Sequence, residues 1–271
     1  MRFSMTYDDL LTGMTAAVQE AGELLRATPR PAQAATFAEG MAAFEAVEAA
    51  PGALLRGRLA RLRPGAGWAE EWDGSGVPPA EGEQWIVDVI DGAVQYLQGL
   101  PQFCVSTALV RDGEPVAAVL YAPLLGETYA AARGRGAARD GRPLVPSGKA
   151  EPGAAVVATG QPPFPARQPG VVEAAGRSLT AVLPLVAAVR NLGPTSWQIA
   201  DTAAGRLDAF WQVGRDATNL LPGALIAREA GAVVTDLEGR PWTAGATGFL
   251  AAGPALHGPL LEALAGVGGH G

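Results

Sequence analysis

The sequence is poor in the residues on which several common chemistries depend. It has one cysteine, Cys104, which excludes an internal disulfide framework and any zinc site built from several thiolates. Its two histidines, His257 and His270, both lie near the C-terminus, so a His-rich metal centre is not expected and little is left for a Ser-His-Asp mechanism. Lys149 is the only lysine, and the net charge is −7. An acidic chain without a basic stripe is not expected to bind nucleic acid. No apolar run reaches the ~18 residues that a membrane span requires. The start, Met1-Arg2-Phe3-Ser4, has no apolar core of a secretion signal, and a cytoplasmic location is expected. The 271 residues suit one large domain or two small ones. A folded chain of that size buries roughly 75% of its unfolded surface, so it needs no metal or disulfide staple to fold.

The periodicities point to mixed α/β structure. Residues 7–27 carry apolar side chains at helical spacing, among them Leu10, Met14, Val18 and Leu25. A second helical stretch spans about 35–50, is interrupted at Pro51-Gly52 and resumes over 53–62. The Gly-, Pro- and Glu-rich segment 68–83 reads as a loop. Strands are expected over 84–89, 103–111, 115–123 and 127–132, with a hairpin turn at Asp112-Gly113-Glu114. Beyond a boundary near 146–152, strands and helices alternate: strands over 154–159, 187–191, 208–212, 232–236 and 249–252, helices over 171–183, 196–206, 220–230 and 254–264. This predicts an N-terminal α+β part, residues 1–150, carrying the acidic motifs described next, and a C-terminal α/β part, residues 151–271.

The main chemical signal is Trp85-Ile86-Val87-Asp88-Val89-Ile90-Asp91-Gly92. An apolar strand ends in two carboxylates three positions apart, followed by glycine. Hard cations such as Mg²⁺ take carboxylate and carbonyl oxygens, which Asp88, Asp91 and the Ile90 carbonyl can supply together. The competing reading makes Asp91 the N-cap of a helix that begins at Gly92. Glu70-Glu71 stands upstream in the loop, where acidic residues are usually just solvated. Cys104, within an apolar strand, reads as a core thiol, and Trp197, Phe210 and Trp211 read as core aromatics.

Together these segments resemble the inositol monophosphatase family of metal-dependent phosphatases, within the metal-dependent carbohydrate phosphatase superfamily. The resemblance extends through residues 103–110 and 113–119, Ala132-Arg133-Gly134-Arg135-Gly136-Ala137, residues 203–210 and Ala227-Arg228-Glu229-Ala230-Gly231. It implies a five-layer α-β-α-β-α sandwich with the site between the two halves, and Mg²⁺-assisted hydrolysis of a phosphate monoester. Matched position by position, Glu70, Asp88, the Ile90 carbonyl and Asp91 fall on metal ligands, with Glu70 and Asp91 also in catalytic positions. The N–H groups of Gly92 and Ala93 fall on the phosphate cradle at a helix N-terminus. Gly193 and Thr195 fall on a substrate loop, and Gln212 falls where many members have a Glu that grips a substrate hydroxyl; glutamine can still hydrogen-bond but lacks the charge.

The chain also departs from the family pattern. Val89 replaces a proline. Ala93 replaces the Thr or Ser that helps hold the attacking water. Asn219 replaces a metal-binding aspartate and brings no charge; its other reading is the N-cap of the helix over 220–230, and Asp216 is a candidate substitute ligand. One Mg²⁺ site is therefore expected to persist and the second to be weakened. The resulting expectation is a phosphomonoesterase with a partly degenerate two-metal site, acting on a small phosphorylated sugar, cyclitol or nucleotide. The alternative is the same fold with hydrolysis lost, serving as a binding or partner protein or repurposed to other chemistry in the same cleft. A homodimer is the expectation from resemblance. The apolar segments 103–123 and 181–189 are its support in the sequence, and burial of both within one chain is the alternative.

Overall fold

The computed structural model describes residues 6–32, 34–69 and 77–267. The first two elements are helices, α1 over Tyr7–Ala27 and α2 over Phe37–Leu62. Each opens with a reciprocal capping box, Thr6 with Asp9 and Thr36 with Glu39, which satisfies N–H groups that a helix start leaves without partners. The sequence predicts a break at Pro51, but α2 runs through it. An interior proline costs about 3 kcal/mol. Val47, Leu55 and Leu59 share its face at four-residue spacing and are buried with it, and each contributes about 1.5–3 kcal/mol. Packing outweighs the lost hydrogen bond.

Strands β1 (Gly67–Trp68), β2 (Glu83–Asp91), β3 (Cys104–Arg111), β4 (Glu114–Ala122), β5 (Glu127–Ala132), β6 (Ala137–Arg139) and β7 (Arg142–Pro143) form one sheet in sequence order. Neighbours are antiparallel except β1, which runs parallel to β2 and draws part of the expected loop into the sheet. The β3–β4 turn places Asp112 and Gly113 at φ 52° and 80°, the left-handed pair that matches strand twist in a tight hairpin. A short helix, α3 (Ala93–Gln98), follows β2.

The second sheet comprises β8 (Val156–Gly160), β9 (Ala188–Arg190), β10 (Ala209–Val213), β11 (Val233–Thr235) and β12 (Gly248–Ala252), in the order β11-β12-β10-β8-β9. Its helices are α4 (Val171–Val182), α5 (Thr195–Ala203), α6 (Ala217–Ala230) and α7 (Pro254–Leu264). Three apolar cores separate the layers. Helices α1 and α2 cover one face of the first sheet around Trp85, Val105 and Leu109. Helices α5 and α6 lie between the sheets, where Ile199, Leu221 and Leu225 pack with Ile86, Leu120 and Phe210. Helices α4 and α7 close the outer face around Trp211, Leu250 and Leu260. This is the five-layer α-β-α-β-α order. Gly223 permits the close approach of α6 to α5: a Cβ there would stand 2.8 Å from the Ile199 Cβ. Among the described residues no helix is long and apolar enough to cross a membrane.

Two expectations change. The apolar residues of the β3–β4 hairpin are buried within the chain, so they offer no free surface for a partner. In the other segment, Leu183 and Leu185 are exposed. Helix α6 starts three residues before the expected Leu220, with Asp216 rather than Asn219 at its N-cap position.

Candidate active site

Strand β2 carries its two aspartates into an irregular end. Asp88 pairs with Ser106 and Asp91 with Cys104, so the β2 side holds one residue more than its partner, a bulge that re-aims side chains. Asp88 Oδ1 accepts the Ile90 N–H at 3.0 Å, which holds the turn from within. Gly92 follows at φ 100°, and a Cβ there would lie 2.9 Å from the Gln102 carbonyl oxygen. Only glycine makes this corner without strain. It sets Gly92 at the N-cap of α3 and Ala93 at its first position, where N–H groups lack helical acceptors. The N-cap reading of Asp91 is thereby overturned: its carboxylate accepts the Ser196 hydroxyl and faces the buried Cys104 thiol at 3.9 Å.

The opposite wall is a chain of polar side chains from α5, β10 and α6. The Thr195 hydroxyl donates to Gln212 Oε1 at 3.2 Å, and Gln212 Nε2 donates to Asp216 Oδ2 at 2.8 Å. Asn219 Nδ2 donates to Asp216 Oδ1 at 2.7 Å. Asn219 is thus not a helix cap; it sits in the first turn of α6 and holds Asp216. The adjacent residues Thr195 and Ser196 tie this chain to Asp91. Gly193, before a cis bond to Pro194, lies against Gln95 of α3. Of the residues expected at the site, Asp91, Gly92, Ala93, Gly193, Thr195, Gln212 and Asn219 are linked through these contacts. Glu70, with Glu71, lies outside the described residues.

Three carboxylates dominate the electrostatics: Asp91 and Asp216 are buried and Asp88 is half-buried. Burial pushes Asp88 up to about 7, aided by the charges of Glu48 and Asp216 and opposed by its bond from Ile90. Asp91 is held well above the usual carboxylate range by burial and by the charge of Asp88, while Ser196 opposes the shift. Burial raises Asp216 to about 6 against the bonds from Gln212 and Asn219. Among the described residues none of the three is ion-paired with an arginine or lysine.

Oxygen donors without a cationic partner, one buried and one half-buried, suit a hard divalent cation, so the donor set of Asp88, the Ile90 carbonyl and Asp91 fits Mg²⁺ chemically. Among the described residues no three His, Cys, Asp or Glu side chains are grouped to clasp an ion on their own.

Other signature residues are structural. Glu229 accepts the N–H groups of Gly134, Arg135 and Gly136 at 2.8, 3.1 and 2.8 Å, fastening α6 to the β5–β6 turn. Asp208 pairs with Lys149, and Asp201 accepts the Tyr129 hydroxyl. Trp197, Phe210 and Trp211 are buried. His257, for which the sequence suggests no partner, meets Thr235 at 2.9 Å. Sequence reasoning misses Ser196. Its one signal is its place beside Thr195 in Gly193-Pro194-Thr195-Ser196.

Residues 7–267 match the sequence model of the inositol monophosphatase family. An inositol-1-monophosphatase of Mesorhizobium japonicum is 37% identical over 188 residues, covering 69% of each chain. The Nus factor SuhB of Pseudomonas aeruginosa is 36% identical over 155 residues, 57% of each chain. The solved structure of Mycobacterium tuberculosis SuhB superposes with a TM-score of 0.78 at 30% identity, covering 98% of this chain and 99% of that one. With the layer order, the β2 corner and the Glu229 anchor all in place, the chain belongs to the inositol monophosphatase family.

Proposed function

We propose that this protein is a cytoplasmic, Mg²⁺-dependent phosphomonoesterase acting on a small phosphorylated sugar, cyclitol or nucleotide. The observation that carries the reading is the β2 corner: half-buried Asp88 and buried Asp91, without a cationic partner among the described residues, lead into Gly92 at the N-cap of α3. Asp88, Asp91 and the Ile90 carbonyl would hold the first ion, joined by Glu70 on the strength of the family resemblance. Bound Mg²⁺ would supply Lewis-acid activation of water and of a phosphoryl oxygen. The N–H groups of Gly92 and Ala93 bind and orient the phosphate oxygens. Ser196 keeps Asp91 oriented and favours its charged form. Thr195 and Gln212 present polar groups to the substrate's hydroxyls, with Gln212 steadied by Asp216. Ala93 brings no hydroxyl to the water, and losing one such transition-state hydrogen bond costs about 10²–10³ in rate; turnover is therefore slow. Resemblance supports a homodimer, to which the exposed Leu183 and Leu185 would contribute.

The test is phosphate release from a panel of sugar, cyclitol and nucleotide monophosphates, with Mg²⁺ and with chelator. Mg²⁺-dependent release that disappears in Asp88→Asn is expected. No release from any member, by protein that binds the ion, would overturn the reading. It would favour the alternative suggested by Ala93 and Asn219: the fold kept as a binding or partner protein, hydrolysis lost. Relatives named as Nus factors lend that alternative its support.

A further inference from the structure

Two aromatic rings near the site belong to none of the three cores. Phe37, the first residue of α2, is 71% exposed and Phe164 is 51% exposed. The other phenylalanines among the described residues are buried or half-buried. The exposed two stand together, with ring centroids 6.3 Å apart and planes at 75°, an edge-to-face pair. Arg167 lays its guanidinium over the Phe164 ring at 4.3 Å. Among the described residues Arg167 has no carboxylate partner.

The loop that carries Phe164 is tied to the β10–α6 wall at both ends. It leaves β8 at Gly160, where a Cβ would stand 3.0 Å from Gln212 Oε1 and 3.2 Å from Thr195 Oγ1. Gln168 brackets Arg215 at the far end: its Nε2 donates to the Arg215 carbonyl at 2.9 Å and its Oε1 accepts the Arg215 N–H at 2.8 Å. Between these ties Pro162, Pro163 and Pro165 each fix a backbone angle. Phe164 itself sits at φ 52°, a left-handed backbone that bulky residues rarely adopt. The chain from Gly160 to Phe164 spans at most ~14 Å, so the ring cannot stray far from Thr195 and Gln212. On the other side, the charge of Glu48 in α2 bears on Asp88, and from Glu48 to Phe37 the helix is about 16 Å long. Helix α2 therefore reaches from the β2 corner to Phe164.

Resting on the phosphatase reading above, we propose that the Phe37–Phe164 corner is a subsite for an aromatic ring on the leaving group, and that nucleoside monophosphates are the preferred substrate class. The phosphate takes the N–H groups of Gly92 and Ala93, the ribose hydroxyls meet Thr195 and Gln212, and the base stacks on Phe37 beside Phe164. A planar base gains from stacking on an exposed ring whatever its sequence of donors and acceptors; the puckered ring of a cyclitol has no such face. The Arg167 guanidinium supports the Phe164 ring and adds positive charge on the side where an anionic substrate enters.

Binding of two probes that cannot be hydrolysed tests this: the phosphonates of adenosine and of ribose in which CH₂ replaces the 5′ ester oxygen, titrated by calorimetry with Mg²⁺. The proteins are wild type, Phe37→Ala, Phe37→Trp and Phe164→Leu, each checked for its fold by circular dichroism. The wild type should bind the adenosine probe at least about tenfold tighter than the ribose probe, the scale of one base stacked on an aromatic side chain. Phe37→Ala and Phe164→Leu should remove most of that preference and leave the ribose probe within about twofold, while Phe37→Trp keeps it. Equal affinity for the two probes in the wild type overturns the proposal. So does a preference that survives both Phe37→Ala and Phe164→Leu, equal weakening of both probes in these variants, or binding of neither probe. Phosphate release from sugar and cyclitol monophosphates, assayed on the same wild type, judges the phosphatase reading separately: release without a base preference leaves that reading standing, and base-dependent binding without any release keeps the subsite and overturns hydrolysis.

Discussion

The two walls of the candidate site have diverged from the family pattern to different degrees. On the β2–α3 wall, Asp88, the Ile90 carbonyl, Asp91 and Gly92 keep their order, and the side-chain change at Ala93 leaves the backbone N–H groups untouched. On the β10–α6 wall, glutamine stands at 212 and asparagine at 219, and the charge sits at Asp216. The β2 wall is constrained by backbone: its bulge, the Asp88–Ile90 turn and the positive φ of Gly92 leave few residues that fit. The α6 wall depends on side chains standing on a regular helix, where an acid and an amide can change places without disturbing the backbone.

The largest effect should come from the constrained wall. Asp88→Asn is expected to abolish tight Mn²⁺ binding and to lower phosphate release by more than about 10³, since a charged donor and its place in the chemistry go together; calorimetry and phosphate assay check this. Retained binding would mean that the β2 corner is not the tight site. Next, Gly92→Ala should destabilise the fold by about 1–3 kcal/mol, through left-handed strain and contact with the Gln102 carbonyl, measured by urea unfolding. Ala93→Thr should raise the rate, by at most the roughly 10²–10³ that such a hydrogen bond contributes, with little change in stability. No gain in a folded, ion-binding variant would point to other chemistry in the cleft.

The smallest effect is one of pH. Asp88 is raised from 3.8 to about 7 and Asp216 to about 6, so between pH 4 and these values the folded state binds more protons than the unfolded state. Stability without divalent ions should therefore fall as pH rises through that window. The Tm in chelator should be higher at pH 5 than at pH 8, and Mg²⁺ should restore it at pH 8. A Tm that rises from pH 5 to pH 8 in chelator would contradict the upward shift of these two acids.

The sequence made the β2 wall legible because its determinants are adjacent: two acids, a carbonyl and a glycine within five residues. Helices α1, α4 and α7 were legible from apolar periodicity, and the β3–β4 hairpin from Asp112-Gly113. Other features depend on contacts between distant segments. Ser196 reaches Asp91 from α5, 105 positions away. Helix α2 passes through Pro51 because its apolar stripe has a sheet to bury against. Helix α6 begins at Ala217 rather than Leu220, which turns Asn219 from a cap into a partner of Asp216. Strands β6 and β7 are too short for a periodicity to register and exist by pairing with β5.

The β2 corner is where ion and phosphate are expected to meet. A crystal soaked with Mn²⁺ and inorganic phosphate, read by anomalous scattering, tests this. The strongest anomalous peak should lie against Asp88, Asp91 and the Ile90 carbonyl, with a phosphate on the N–H groups of Gly92 and Ala93. Ordered Mn²⁺ elsewhere, with neither ion nor phosphate at that corner, would contradict it.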